Sequence, residues 1–162
     1  MNKKILFVDD DTNILSAFRR QLHNVFELET AVGGPNGLDL IKKGSFAVVV
    51  SDMRMPEMDG IQFLKKAREL DNDIIRIMLT GNADLTVAAN AVNEGSIFRF
   101  LTKPCPPETL IKALKDGLRQ YDLVNAEKDL LEKTLKGTIN VLTEILSLVN
   151  PAAFSKANRI RH

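Results

Sequence analysis

Phe46-Ala47-Val48-Val49-Val50-Ser51-Asp52-Met53-Arg54-Met55-Pro56-Glu57-Met58-Asp59-Gly60 decides the fold. The apolar run at its start shows no polar alternation, the pattern of a strand buried on both faces in a parallel sheet under helices. It stops abruptly in a carboxylate, and a turn punctuated by Pro56 and Gly60 follows. Asp52 therefore emerges at the carboxyl edge of the sheet, where open α/β folds place their chemistry. Ile5-Leu6-Phe7-Val8 ends the same way in Asp9-Asp10-Asp11. Ile74–Leu79 ends in Thr80-Gly81, and Ile97–Leu101 in Thr102-Lys103-Pro104. These strand ends bring carboxylates, a hydroxyl and an ammonium to one edge, which makes that edge the candidate site.

The intervening segments read as helices. Ile14, Leu15, Phe18 and Leu22 recur at helical spacing, with Asp11 or Thr12 as cap. Phe26–Ala31 alternates and reads as a further strand, and Pro35 suits the first turn of a helix carrying Leu38, Leu40 and Ile41. Helices follow with Ile61, Phe63, Leu64 and Leu70, then with Leu85, Val87, Ala88, Ala91 and Val92 up to Gly95, and another begins near Pro107. Strand–helix units in unbroken alternation predict an α/β fold, a doubly wound five-stranded parallel sheet.

Composition narrows the function classes. The chain has 162 residues and a formal net charge of +1, so no global field favours nucleic acid or an anionic membrane. No apolar stretch approaches the length of a membrane span, and Met1-Asn2-Lys3-Lys4 lacks the apolar core of a signal peptide. The single cysteine, Cys105, fits a reducing compartment, so a cytoplasmic location is expected. Lone His23 and His162 read as ordinary surface residues.

The last helix outruns the domain. Leu114, Gly117, Tyr121, Val124, Lys128, Leu131, Leu135, Thr138, Leu142, Ile145 and Val149 hold a three-then-four spacing, a coiled-coil frame with defects at Gly117, Lys128 and Thr138. Past Tyr121 it would run about 40 Å at 1.5 Å per residue. Its six apolar seam residues per chain could contribute roughly 1.5–3 kcal/mol each, gross. Over two chains that can exceed an association cost of about 4–15 kcal/mol, so a parallel homodimer through residues 114–149 is expected. The alternative is that the stripe packs on the chain's own domain. Asn150-Pro151 ends the helix. The expected organisation is a domain over 1–122, a coiled-coil helix over 123–149, and a tail or the start of an output domain over 150–162.

Converging carboxylates of Asp9, Asp10 and Asp52 repel, and without a counter-charge at least one pKa rises. A divalent cation resolves this, and hard oxygen ligands with room for water and phosphate favour Mg²⁺. With phosphate held there, an in-line carboxylate can form an aspartyl phosphate, its oxygens met by Lys103, Thr80 and backbone N–H groups. Taken singly these residues have bland readings: the aspartates and Thr80 as helix caps, Lys103 as a surface lysine. Four strand ends together make the bland reading untenable.

Val8-Asp9-Asp10, Ser51-Asp52 with Met55-Pro56 and Met58-Asp59-Gly60, Leu79-Thr80-Gly81 and Thr102-Lys103-Pro104 resemble the receiver domain of two-component response regulators, over residues 3 to about 122. The resemblance implies that Asp52 accepts a phosphoryl group from the phosphohistidine of a histidine kinase or phosphotransfer protein. It implies Mg²⁺ held by Asp9, Asp10, Asp52 and the backbone carbonyl of Arg54, and Lys103 paired with the phosphoryl oxygens beside a cis Lys103–Pro104 bond. Thr80 and Phe100 would form the switch, with Phe100 standing where the family often carries Tyr. Arg54 occupies a variable position linked to water access, and the readout face would be about 84–121. Such a module is not an enzyme beyond self-phosphorylation and slow autodephosphorylation. Leu135–His162 is similar to the lead-in of regulators with an HD-type phosphohydrolase output, although no His-Asp doublet occurs in the chain. On that reading an output domain is missing and the chain is part of a longer regulator.

Three other readings fit less well. Asp9-Asp10-Asp11-Thr12-Asn13 approaches the haloacid dehalogenase pattern but ends in the wrong residue and leaves Asp52 and Lys103 unexplained. A nucleotide-binding flavodoxin-like module wants a glycine-rich loop after the first strand, and Gly33-Gly34-Pro35-Asn36-Gly37 misses the dinucleotide spacing. A purely structural dimerisation module has no reason to keep Asp52, Thr80 and Lys103 together.

Overall fold

The computed structural model describes residues 3–94 and 97–149. Strands β1 (Ile5–Asp9), β2 (Leu28–Val32), β3 (Val48–Asp52), β4 (Ile75–Thr80) and β5 (Arg99–Thr102) alternate with helices α1 (Thr12–Leu22), α2 (Gly34–Lys43), α3 (Gly60–Leu70), α4 (Leu85–Asn93) and α5 (Pro107–Val149). A 3-10 turn over Asn82–Asp84 precedes α4. The chain divides into two compact units between Leu123 and Val124.

All strand pairs in the first unit are parallel, in the order β2-β1-β3-β4-β5. The order reverses at β1, which has β2 on one side and β3 on the other, so the crevice at the carboxyl ends of β1 and β3 is the topological switch point. This is the doubly wound, flavodoxin-like arrangement expected from the alternation of elements.

Both sheet faces are buried, as the unalternating strands require. Leu6, Val8, Val49 and Met78 face a core completed by Ile41, Phe63, Leu64, Ala67, Ala88 and Ala91 from α2, α3 and α4. Ile5, Phe7, Val48, Val50, Ile77 and Leu79 face the opposite core with Leu15 and Leu22 of α1 and Leu110, Ala113 and Leu114 of α5. A fully buried residue of this kind stabilises by about 1.5–3 kcal/mol, and β1 and β3 carry no charge before the aspartate that ends each of them.

Local signals set the helix boundaries. Asp11 caps α1 by accepting from the Asn13 N–H at 2.9 Å. Asp59 and Gln62 form a reciprocal capping box at the start of α3. Gly60 is required there, because a Cβ would collide with the Asp52 carbonyl oxygen.

Several boundaries differ from the sequence expectation. The strand expected over 26–31 is paired only over Leu28–Val32, with Phe26 folded into the core instead. Phe46 and Ala47 are buried but precede the β3 ladder. Consequently Asp52, Thr80 and Thr102 are themselves the final strand residues. The expected stop at Gly95 and the Asn150-Pro151 helix end lie outside the described residues.

The second unit is the distal part of α5. Its seam positions Leu131, Leu135, Leu142, Ile145 and Val149 are all exposed in the single chain. Gly137, within this stretch, meets nothing within 4 Å of where a Cβ would stand.

Candidate functional site

Three strand ends converge at the switch point. Carboxylate oxygens of Asp9, Asp10 and Asp52 lie within 4.8 Å of one another. Asp9 ends β1, is 2% exposed, and aims its carboxylate inward from the strand edge. Asp10 follows it into solvent, and Asp52 ends the central strand β3, half-buried.

The Asp9 carboxylate is held at one oxygen only. Its Oδ1 accepts the Asp11 N–H at 3.0 Å, while its buried Oδ2 accepts no hydrogen bond. Burial pushes its pKa from 3.8 up to about 6; the Asp11 N–H and Lys103 oppose that rise, while the Asp52 charge and the Asp10 side chain add to it. One lysine against three converging carboxylates leaves an excess of negative charge. An orphaned buried oxygen and a carboxylate pushed towards protonation fit a site that takes a cation. The donor set is entirely oxygen and faces an open cleft, which fits Mg²⁺ with retained waters.

Among the described residues, Lys103 is the one cation paired with the cluster's carboxylates. Its Nζ stands 2.7 Å from Asp52 Oδ1 and 3.7 Å from Asp9 Oδ2. The Lys103–Pro104 peptide is cis, and the Lys103 N–H donates to the Thr80 carbonyl at 2.8 Å, tying the end of β5 to the end of β4.

Thr80 and Phe100 belong to the same edge, where the Thr80 side chain bonds its own neighbour rather than a charged residue. The buried Thr80 hydroxyl donates to the Gly81 carbonyl at 3.2 Å. Phe100 is half-buried and packs against the core on the α2–α4 side of the sheet. Arg54, singled out for its backbone carbonyl, lines a cleft of about 550 Å³ with Asp10, Met53, Met55, Pro56, Asp59 and Asp84.

One site residue escaped the sequence reading. Asp84 receives both arms of the Arg54 guanidinium, Nε to Oδ2 at 2.8 Å and an Nη to Oδ1 at 3.0 Å. That pairing raises the Arg54 pKa further by stabilising the cation. A single acid four residues beyond Thr80 carries no spacing signal that would pair it with Arg54.

The site is thus a set of acidic residues and a lysine at the switch point of a flavodoxin-like α/β unit. Residues 5–115 match the family model of the response regulator receiver domain, and the chain belongs to that family. It is 30% identical over 145 residues to the hydrogenase transcriptional regulatory protein HoxA of Bradyrhizobium diazoefficiens, covering 89% of this chain and 30% of that protein. It is similar to the crystal structure of adenylate cyclase from Rhodopirellula baltica, with 46% identity, a TM-score of 0.80, and coverage of 82% of this chain and 99% of that one. It is also similar to the signal receiver domain of an HD domain-containing protein from Pseudomonas fluorescens, with 32% identity, a TM-score of 0.70, and coverage of 75% and 98%. The chain thus spans about a third of the length of HoxA, the curated relative it is compared with.

Receiver domains of this CheY-like kind act in two-component phosphorelay signalling, bind Mg²⁺ at an acidic pocket and interact with histidine kinases. The family match removes the haloacid dehalogenase and nucleotide-binding readings. Among the described residues, no helix is long and apolar enough to cross a membrane.

Proposed function

We propose that Asp52 is the phosphoacceptor of this receiver and that Asp9, Asp10, Asp52 and the backbone carbonyl of Arg54 hold Mg²⁺. The reading rests on one observation: Lys103 Nζ is 2.7 Å from Asp52 Oδ1, beside two further carboxylates within 4.8 Å. Held by these residues, Mg²⁺ would supply charge neutralisation for the incoming phosphoryl group and the carboxylates.

The chain's own residues do the rest. A carboxylate oxygen of Asp52 forms a bond to phosphorus as the bond to the donor's imidazole nitrogen breaks, and the imidazole keeps the electron pair. Lys103 exchanges its contact with Asp52 for a phosphoryl oxygen, keeping its charge within hydrogen-bonding reach throughout. Thr80 gives up the Gly81 carbonyl for another phosphoryl oxygen, and Phe100 moves into the space this vacates. Asp9, with its pKa raised by burial to about 6, carries its charge at neutral pH at a cost that a cation beside it would relieve, so phosphoryl transfer is expected to depend on the metal.

The donor is a histidine kinase or phosphotransfer protein, in a cytoplasmic phosphorelay. Residues 1–122 form the receiver and 123–149 a signalling helix, which dimerises with a second copy over 114–149 as a coiled coil. Residues 150–162 are a tail or lead into an output domain; an HD-type output fits the similarity of 135–162 to such regulators. The first test is intact-mass measurement after incubation with a small-molecule phosphodonor and Mg²⁺. Wild type should gain one phosphoryl group and Asp52→Ala none; equal gain in both rejects the acceptor.

A further inference from the structure

Three helices of the receiver begin at an aspartate, and one of these behaves differently. Asp11 and Asp59, which cap α1 and α3, have extended backbones (φ −97°, ψ 109° and φ −75°, ψ 171°), and each accepts a hydrogen bond from the helix it opens. Asp84 occupies the same position before α4 but makes no capping hydrogen bond, and its backbone, at φ −110° and ψ 11°, is not extended. Its carboxylate is taken up by Arg54 through two short contacts. The partners are unequally solvated: the Asp84 side chain is 13% exposed and that of Arg54 76%. The first turn of α4 is thus left without the cap its sequence provides.

Arg54 stands two residues after Asp52 and shares a cleft with Asp10, whose carboxylate is part of the acidic cluster. A phosphoryl group on Asp52 would bring about 1.5–2 further negative charges and three acceptor oxygens to that cluster. A guanidinium binds such a group through two parallel hydrogen bonds, as it now binds Asp84. The two anions compete for one arginine. If Asp84 loses, a mostly buried carboxylate is left unpaired, which is costly unless it finds new donors. The donors next to it in the chain are the N–H groups opening α4, where a negative charge also meets the positive end of the helix dipole.

We propose that Asp84 is a two-position switch: it holds Arg54 while Asp52 is unmodified, and caps α4 once the phosphoryl group on Asp52 has drawn Arg54 away. This rests on the reading of Asp52 as acceptor. Phosphorylation then reaches α4 through an exchange of partners, Arg54 from carboxylate to phosphoryl and Asp84 from guanidinium to backbone. Arg54 becomes a second cation for the phosphoryl group beside Lys103.

The test uses the full chain with Mg²⁺ and beryllofluoride as phosphoryl analogue, reading amide hydrogen exchange at Thr86 and Val87 together with analogue affinity. In wild type the analogue should slow exchange at these amides about fivefold, the size of one N-cap hydrogen bond. Asp84→Ala should abolish that slowing. Asp84→Asn, a neutral residue that still caps well, should show slowed exchange before any analogue is added. Either variant frees Arg54 and should tighten analogue binding about tenfold, and Arg54→Gln combined with Asp84→Ala should remove that gain. An Asp84→Ala protein that keeps the slowing overturns the switch, as does an affinity gain that persists without Arg54. No analogue binding by wild type, or equal binding by Asp52→Ala, rejects the acceptor reading itself, and the switch falls with it.

Discussion

Lys103 Nζ bridges Asp52 and Asp9, 2.7 Å from Oδ1 of the first and 3.7 Å from Oδ2 of the second. Residues from three different strand ends thus share one positive charge at the switch point of the sheet. The unequal distances matter: the shorter contact goes to the half-buried Asp52, while the buried Asp9 oxygen stays without a hydrogen bond. The lysine therefore makes its close contact with the half-buried Asp52 and leaves the buried Asp9 oxygen without a hydrogen bond.

Lys103→Met should slow phosphorylation of Asp52 by a small-molecule donor about 10- to 100-fold, the loss of one charge-assisted hydrogen bond to the transferring oxygens. The rate is read by intact mass against time. The fold should persist, since Lys103 is one-third exposed and its backbone N–H bond to Thr80 is untouched by the change.

Asp9 makes stability depend on pH in a definite direction. Its folded pKa, about 6, lies above its ordinary value of 3.8, so the folded chain binds the proton more tightly than the unfolded chain. Without metal, the Asp9 contribution therefore falls as pH rises from about 4 to 6 and stays unfavourable above that. Asp9→Asn removes the titration. In metal-free buffer at pH 7 it should be more stable than wild type by on the order of 1–2 kcal/mol, with the difference shrinking towards pH 4. Urea titration at both pH values measures this, and added Mg²⁺ should stabilise only the wild type appreciably.

Gly60→Ala places a methyl group against the Asp52 carbonyl. The β3–α3 loop must shift to admit it, which should cost about 1–3 kcal/mol by chemical denaturation. Because Asp52 carries the contact, phosphorylation should slow as well. A stability loss with unchanged phosphorylation would show that the loop yields without moving the acceptor.

Leu135→Asp tests the helix seam. Leu135 is 60% exposed in the single chain and lies in the middle of the frame. A parallel dimer through 114–149 would bury it, so a charge there should give a monomer by sedimentation equilibrium with the receiver fold retained. Wild type should sediment as a dimer.

The charged edge was legible because each apolar run ended in a polar group: Asp9 and Asp52 stood out against strands with no other charge, and Thr80 and Lys103 followed two further runs that each carry one arginine. The parallel sheet followed from the same runs, since β1, β3 and β4 bury both faces, whereas the strand order is seen only in the fold. Phe26 and Phe46 misled the strand boundaries because burial, which the sequence signals, is not ladder pairing, which it does not. Asp84 could not be read at all. Its pairing with Arg54 depends on where two loops come to rest 30 residues apart in the chain.

The most direct measurement is chemical location of the phosphoryl group. After incubation with phosphodonor and Mg²⁺, borohydride reduction converts an aspartyl phosphate to homoserine, and peptide mapping reads the position. Reduction at Asp52 alone, abolished by EDTA, is the predicted result. Modification at Asp9 or Asp10, or modification of Asp52 that persists undiminished without a divalent ion, would contradict it.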